Sequence, residues 1–507
     1  MTAIDLPAQS GHRDMSSLLS GLVGNELLDR VDGDEPVAGI SLDSRRVKRG
    51  ELFIALPGAQ ADGRQYVEKA MDSGARAILY ESNHAPEECI ALARRRKAIG
   101  VTDLRNQVSL IAARFFGFPA RQMTVVGITG TNGKTTCVYL LTQALDLLGE
   151  RAAMLGTIGN GRLNDLVEAD LTTGDAVETQ RALRNFLNQG ATSVCMEVSS
   201  HGLEQSRVSA VDFDVAVLTN LSQDHLDYHG TMAQYAAAKR KLFDFECLDA
   251  IVINHDDAMG RKILGDAHAC EVISYGNPPA NVTAADSVVN DQGINFTLMW
   301  QQQKHKIHSP LLGEINLPNL MATISTLLAL GYPLNKIAAV VPKLQSPPGR
   351  MELFTNGDEK PSVVVDYSHT PDALKQALLS LRPLVDGKLL VVFGCGGDRD
   401  KAKRAVMGEV AARLADYVIV TSDNPRSEDP GAIAAQVVEG IVEKDAVGRH
   451  EVILERKQAI NQAIYAAKAG DLVLVAGKGH ETVQTVGQIS LPFSDREVVK
   501  KILGGSR

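Results

Sequence analysis

Short apolar, β-branched runs alternate along this chain with polar turns and with stretches whose apolar residues recur every three or four positions. That alternation predicts parallel strands interleaved with helices, an α/β protein. In the first part, Gly39 to Arg46 leads into the run Glu51 to Leu56, closed by Pro57-Gly58. A turn at Gln60 to Arg64, a helix from Tyr66 to Ser73 and a strand at Ala77 to Tyr80 follow. The next part is doubly wound, with buried strands predicted at Ser193–Glu197, Val215–Leu218 and Ala250–Asn254. After Ser346-Pro-Pro-Gly349, a linker by composition, the period restarts with strands at Ser362–Asp366, Leu389–Phe393, Tyr417–Thr421 and Leu472–Ala476. Three domains are expected: a small N-terminal α/β domain over 1–103, a central domain with a mostly parallel sheet over 104–346, and a C-terminal Rossmann-like domain over 347–507. A chain of 507 residues fits about three cores.

One junction in this pattern carries chemistry. The run Met123 to Thr129 enters a tight polar loop, Gly130-Thr131-Asn132-Gly133, and a helix opens at Lys134-Thr135-Thr136 with apolar positions Val138, Leu141, Leu145 and Leu148. Strand, glycine-rich loop and helix N-terminus together make a phosphate-binding loop. Backbone N–H groups of Thr131 to Lys134 would cradle phosphate oxygens, Lys134 would reach the β/γ-phosphates, and the Thr135 hydroxyl would ligate Mg²⁺. The strict pattern places a glycine where this chain has Ile128; the glycines fall at 127, 130 and 133. The expected ligand is a nucleoside triphosphate.

The net charge of −9 argues against a nucleic-acid partner held through phosphates. Six scattered cysteines without a CxxC pair read as buried free thiols of a reducing compartment. The N-terminal residues lack the layout of a signal peptide and no apolar run suffices to cross a bilayer, so a cytoplasmic protein without a membrane partner is expected.

Polar clusters follow the predicted strands, where ligands of such sheets gather. Glu197 ends a strand and suits a hard cation beside Thr135, with His225 a further candidate ligand. Asn254, Asp256 and Asp257 offer acceptors to adenine or ribose. Lys239, in the small-residue helix Tyr235-Ala-Ala-Ala-Lys239, reads by composition as a solvated lysine. Arg207, Arg350, Arg399 and Arg426 stand in Gly/Asp/Pro-rich turns or at domain seams, where guanidinium forks suit phosphate and carboxylate.

The ordered motifs TGTNGKTT, MEVSSH, TNLSQDHLDYHG, LLGEINLPN, GRME, DYSHTPDAL, GCGGDRD, DNPR and GKGHE resemble those of the Mur ligases from about Leu42 to Glu497. GTNGKTT is shared with folylpolyglutamate synthases, whereas DNPR with GCGGDRD is similar to the members that add diaminopimelate. The resemblance implies an ATP- and Mg²⁺-dependent amide ligase that joins meso-2,6-diaminopimelate to UDP-N-acetylmuramoyl-L-alanyl-D-glutamate, acting as a monomer in peptidoglycan precursor synthesis. It places the nucleotide on Gly130 to Thr136, Asn319 and Arg350. UDP-sugar contacts fall on Leu42, Ser44 and the turn Ala59-Gln60-Ala61, and the sugar-peptide on Thr172, Thr173, Ser199, Gln205 and Arg207. Lys239 matches a lysine carried as a carbamate, a Mg²⁺ ligand with Thr135, Glu197 and His225. Lys134, Lys239, Glu197 and Arg350 are the implied catalytic residues.

The incoming amino acid would meet Arg399, Asp423, Asn424, Pro425, Arg426, Gly477 and Glu481; His480 of the same motif receives no role. Arg426 would pair with the distal carboxylate that distinguishes diaminopimelate from lysine, and lysine-adding relatives lack this arginine. The implied reaction is phosphoryl transfer to the D-glutamyl carboxylate and attack of an amine on the acyl phosphate. Alternatives are a lysine-adding or folylpolyglutamate-type ligase of the same fold, and an ATP-driven switch or binding module.

Overall fold

The computed structural model describes residues 14–24, 36–58, 61–95, 98–357, 360–442 and 449–504. The chain forms two compact units, one of Met1–Lys134, Leu145–Ile253 and Asp257–Val272, the other of Thr135–Ala144, Asn254–Asp256 and Ile273–Arg507.

In the first unit, strands β1 (Ile40–Ser41), β2 (Leu52–Ala55), β3 (Ala77–Glu81) and β4 (Ala98–Val101) form a parallel sheet in that order. Successive residues serve opposite faces: Leu52, Ile54 and Leu79 join one core, Phe53, Ala55 and Ile78 the other. Burial on both faces is why these strands read as continuous apolar runs. The predicted helix from Tyr66 begins as a 3₁₀ turn, Gly63–Tyr66, and continues as α-helix over Val67–Asp72.

A second sheet in this unit contains β5 (Thr124–Thr129), β6 (Ala152–Gly156), β7 (Gly159–Arg162), β8 (Asp165–Val167), β9 (Ser193–Glu197), β10 (Val215–Leu218) and β11 (Ala250–Asn254). Their spatial order is β11-β10-β5-β9-β6-β7-β8, antiparallel only at β7 and β8. β5 lies between β10 and β9, with Thr129 opposite Leu218 and Ile128 opposite Glu197. The residues after β5, β9 and β10 therefore emerge at one edge, the ligand edge of a parallel sheet.

In the second unit, β12 (Glu271–Tyr275) pairs at Tyr275 with β13 (Val282–Asn290), which opens an antiparallel meander with β14 (Gly293–Trp300) and β15 (Gln303–Ser309). The central region is thus not doubly wound throughout. Its last strands bury one face only: Ile294, Phe296 and Leu298 are inside and alternate with more accessible neighbours.

The predicted Rossmann-like sheet is present. It holds β16 (Glu352–Phe354), β17 (Ser362–Asp366), β18 (Leu389–Phe393), β19 (Tyr417–Val420), β20 (His450–Val452) and β21 (Leu472–Ala476), ordered β16-β17-β21-β18-β19-β20 and parallel apart from β16. Val391 and Leu474 face one core and Val392 and Val473 the other. A small hairpin, β22 (Val483–Val486) and β23 (Ile489–Pro492), follows β21.

Among the described residues no helix is long and apolar enough to cross a membrane. All six cysteines are free, but only Cys89, Cys137, Cys195 and Cys395 are buried; Cys270 is half-buried and Cys247 exposed, against the expectation of buried thiols throughout.

Candidate active site

The phosphate loop has the backbone its sequence demands. Gly130 has φ +152°, and a Cβ there would lie 1.8 Å from Thr219 Oγ1. The end of β10 fixes the loop: Thr219 Oγ1 and Asn220 Nδ2 donate to Asn132 O at 2.6 and 3.1 Å. Asn220 also accepts from Thr131 N–H on its carbonyl (2.8 Å) and from Asn132 N–H on Oδ1 (3.0 Å). Two N–H groups expected in the phosphate cradle, those of Thr131 and Asn132, are therefore bonded to Asn220. Lys134 Nζ folds back onto Gly130 O (2.8 Å) and Thr131 O (3.0 Å).

Lys239 approaches the same loop. It is 1% exposed, so the solvated reading fails: its helix, Met232–Arg240, turns this side chain inward. Nζ donates to Gly130 O at 2.7 Å and lies 4.6 Å from the centre of the Tyr235 ring. Burial, reinforced by the Lys134 charge, holds the amine well below the ordinary lysine pKa. Tyr235 OH is 3.2 Å from Thr131 Oγ1.

Glu197 is buried at the end of β9, with Oε1 accepting from Thr157 N–H (2.7 Å) and Oε2 from Thr157 Oγ1 (3.2 Å). His225 adopts φ +52° and packs its ring 5.0 Å from His201. Burial is the main cause lowering its pKa. Among the described residues no three His, Cys, Asp or Glu side chains converge as a metal cluster.

The expected sugar-peptide residues do come together within the first unit. Thr173 Oγ1 donates to Glu197 O (2.9 Å) and accepts from Ser199 N–H (2.9 Å); Arg207 donates to Thr173 O (2.8 Å) and, through Nη2, to Gln205 Oε1 (2.7 Å). Thr172 Oγ1 accepts from Thr157 Oγ1 at 3.0 Å. Of the UDP-sugar candidates, Ser44 is buried and Leu42 packs on the first core, while Ala59 and Gln60 lie outside the described residues; Ala61 is exposed.

Asn254, Asp256 and Asp257 are occupied structurally, which removes the support for an adenine or ribose role. Asn254 Oδ1 accepts from Asp256 N–H (2.9 Å), the Asp256 carboxylate accepts from Asn277 N–H (3.0 Å), and Asp257 caps the helix Ala258–Leu264.

Within the second unit, Arg350 Nη2 lies 3.4 Å from Thr135 Oγ1, with its guanidinium 4.3 Å from the Tyr367 ring centre. The buried Arg350 Nε has no hydrogen-bond partner among the described residues. Asn319 is buried, and its Nδ2 donates to Asn316 Oδ1 at 3.2 Å.

The turns after β18 and β19 are joined by many bonds. Gly397 N–H donates to Asn424 O (2.9 Å), Ser427 Oγ to Asp398 Oδ1 (2.6 Å) and Arg426 Nη1 to Gly397 O (2.8 Å). A Cβ on Gly396 would meet Arg426 Nη1 at 3.0 Å and Arg399 Cγ at 3.7 Å, so both arginines flank that glycine. Arg404, fully buried, clasps Glu428 with Nη1 and Nη2 (3.0 and 2.9 Å) and holds its carboxyl down to about 2. Gly477, at φ +116°, leaves room for Asp423 Oδ2, which would lie 2.6 Å from a Cβ. Arg426 itself has φ +50°, fixed by β22: its N–H donates to Thr485 O (3.1 Å) and its carbonyl accepts from Gly487 N–H (2.7 Å).

Two contributors were not singled out from the sequence: Asn220, for which its place in the TNLSQDH motif was the available signal, and Tyr235, on a helix, which carried none.

Family models match three successive segments: the Mur ligase family catalytic domain over residues 36–116, the Mur ligase middle domain over 128–327, and the Mur ligase glutamate ligase domain over 349–479. The UDP-N-acetylmuramoyl-L-alanyl-D-glutamate--2,6-diaminopimelate ligase of Pseudomonas putida is 45% identical over 492 residues, 94% of this chain and 97% of that protein. A solved structure of a ligase of the same name is 38% identical with a TM-score of 0.67, covering 93% of this chain and 96% of that one. A folylpolyglutamate synthase of Mycobacterium tuberculosis, 17% identical with a TM-score of 0.61 over 80% of this chain and 95% of that chain, shares the fold. By these matches the chain is a ligase and belongs to the Mur ligase family.

Proposed function

We propose that this ligase uses ATP to join meso-2,6-diaminopimelate to UDP-N-acetylmuramoyl-L-alanyl-D-glutamate through an acyl phosphate. The observation that carries the choice of amino acid is the pair Arg426 and Arg399 flanking Gly396, with Arg426 anchored on Gly397 O. A fork so fixed suits a distal carboxylate, while the lone ammonium at the end of lysine would be repelled. The 45% identity to a relative named for diaminopimelate supports this reading. Domain boundaries near 103 and 346 belong to this reading; the gaps between the matched segments lie at 117–127 and 328–348.

Lys134 and Arg350 place positive charge on the transferring phosphoryl group, and Arg207 orients the UDP-linked dipeptide so that its D-glutamyl carboxylate attacks the γ-phosphorus of ATP in line and ADP leaves. The neutral amine of diaminopimelate then adds to the acyl carbon and gives up a proton to solvent, and the tetrahedral intermediate expels inorganic phosphate as the amide forms. No side chain serves as nucleophile. Thr135, Glu197, His225 and Lys239 would hold Mg²⁺, which supplies charge neutralisation when bound. This donor set fits a hard cation once Lys239 offers oxygens. Its amine, whose pKa burial lowers, would add CO₂ in its neutral form and release a proton to solvent, becoming an anionic carbamate. The protein works as a cytoplasmic monomer.

Phosphate release measured with ATP, Mg²⁺ and the UDP-linked dipeptide against a panel of amino acids tests the reading. Release with diaminopimelate and little with lysine is expected. Release with lysine and none with diaminopimelate overturns it, and turnover indifferent to any amino acid identifies a nucleotide-driven switch.

A further inference from the structure

Lys478 is wholly buried in the turn after β21, and no step above uses it. A buried ammonium requires partners. Its Nζ donates to Glu481 Oε2 at 2.6 Å and to Asn424 Oδ1 at 3.1 Å. Asn424 Nδ2 donates to the same Glu481 Oε2 at 2.9 Å, and the Thr485 N–H of β22 donates to Asn424 Oδ1 at 2.9 Å. These bonds fix the amide orientation, because a flipped Asn424 would turn its NH₂ towards two donors.

Both bonds to Glu481 fall on Oε2, so Oε1 receives neither. The Glu481 side chain is 27% exposed and that of Lys478 is not exposed at all. The lysine therefore stands behind the carboxylate, and the carboxylate faces outward.

We infer that Lys478 is a positioning residue of the amino-acid site. By holding Oε2 of Glu481 and Oδ1 of Asn424, it presents Glu481 Oε1 as the acceptor for an ammonium of the incoming diamine, at a set distance from Arg426. Lys478 does not touch the substrate. The inference rests on the diaminopimelate reading above, and it places the effect of Lys478 on capture of the amino acid alone.

Initial rates of Lys478→Met and Lys478→Gln, with each of the three substrates varied in turn, provide the test. For Lys478→Met, KM for diaminopimelate rises about tenfold or more, while KM for ATP and for the UDP-linked dipeptide stays within about twofold. Lys478→Gln keeps an N–H donor and falls between Met and wild type. An unchanged KM for diaminopimelate, an equal loss for all three substrates, or failure of both variants to fold overturns the inference. Wild-type enzyme is measured first: if it makes no amide with diaminopimelate, the functional reading falls and this inference with it. A wild-type product with an unaffected variant removes Lys478 alone.

Discussion

Lys239 shows how much a single buried charge can demand. Its ammonium has one backbone acceptor and a ring face in a dry environment, next to the positive Lys134. Because burial depresses the folded pKa below 10.5, the unfolded chain binds the extra proton throughout the window between the two values. The cost of burying Lys239 therefore grows as pH falls through that window. In CO₂-free buffer Lys239→Met is expected to melt higher than wild type near neutral pH, with the gap closing as pH rises towards 10.5; thermal melts along a pH series check this. Lys239→Ala is expected to lose activity by about a hundredfold or more and to regain part of it with short carboxylic acids that supply the missing oxygens. Normal turnover by the alanine variant would refute the carbamate. Sequence composition pointed to a solvated lysine because a run of alanines does not say which face of its helix meets the phosphate loop. The loop itself was legible, since strand, glycines and GKTT are local signals. Its capture by Asn220 depends on a residue 88 positions away.

Elements buried on both faces were the legible ones: β9, β11, β17, β18 and β21 have the predicted bounds, because a doubly covered parallel strand must be an apolar run. The β13–β15 meander covers one face only, and the exposed β22–β23 hairpin has no apolar run to reveal it. That hairpin nevertheless sets the backbone of Arg426. Behind it, Arg456 and Asp495 form a fully buried pair (2.7 Å), and Arg456 also donates to Ser422 O (3.3 Å) and Ala476 O (2.9 Å), just before the Asp423–Arg426 and Gly477–Glu481 turns. Removing one member leaves an unpaired buried charge, so Asp495→Ala should cost about 3–5 kcal/mol in stability. Denaturant unfolding followed by fluorescence would show this, and a loss under about 1 kcal/mol would contradict the clamp. A gentler readout is Glu428→Gln. Arg404 lowers the Glu428 carboxyl to about 2, so its stabilisation is present above the usual 4.5 and is lost as pH falls towards 2. The melting-point deficit of Glu428→Gln should therefore shrink across that interval.

At the scale of the whole molecule, chemistry is divided along the chain. The first unit carries the phosphate loop, Glu197, Lys239 and the Thr173–Arg207 cluster; the second carries Arg350 and the arginine-lined turns after β18 and β19. Family membership was legible in nine short motifs, and matches over most of the length bear it out. In this ligase, phosphate-bond energy activates one acid and a fixed guanidinium selects the diamine that captures it. Mass spectrometry of the products from ATP, Mg²⁺, the UDP-linked dipeptide and an equimolar mixture of diaminopimelate and lysine tests it most directly. One new species is expected, the dipeptide plus diaminopimelate less water, with equal amounts of ADP and phosphate. ADP without an amide product, or a lysine adduct in equal yield, would contradict it.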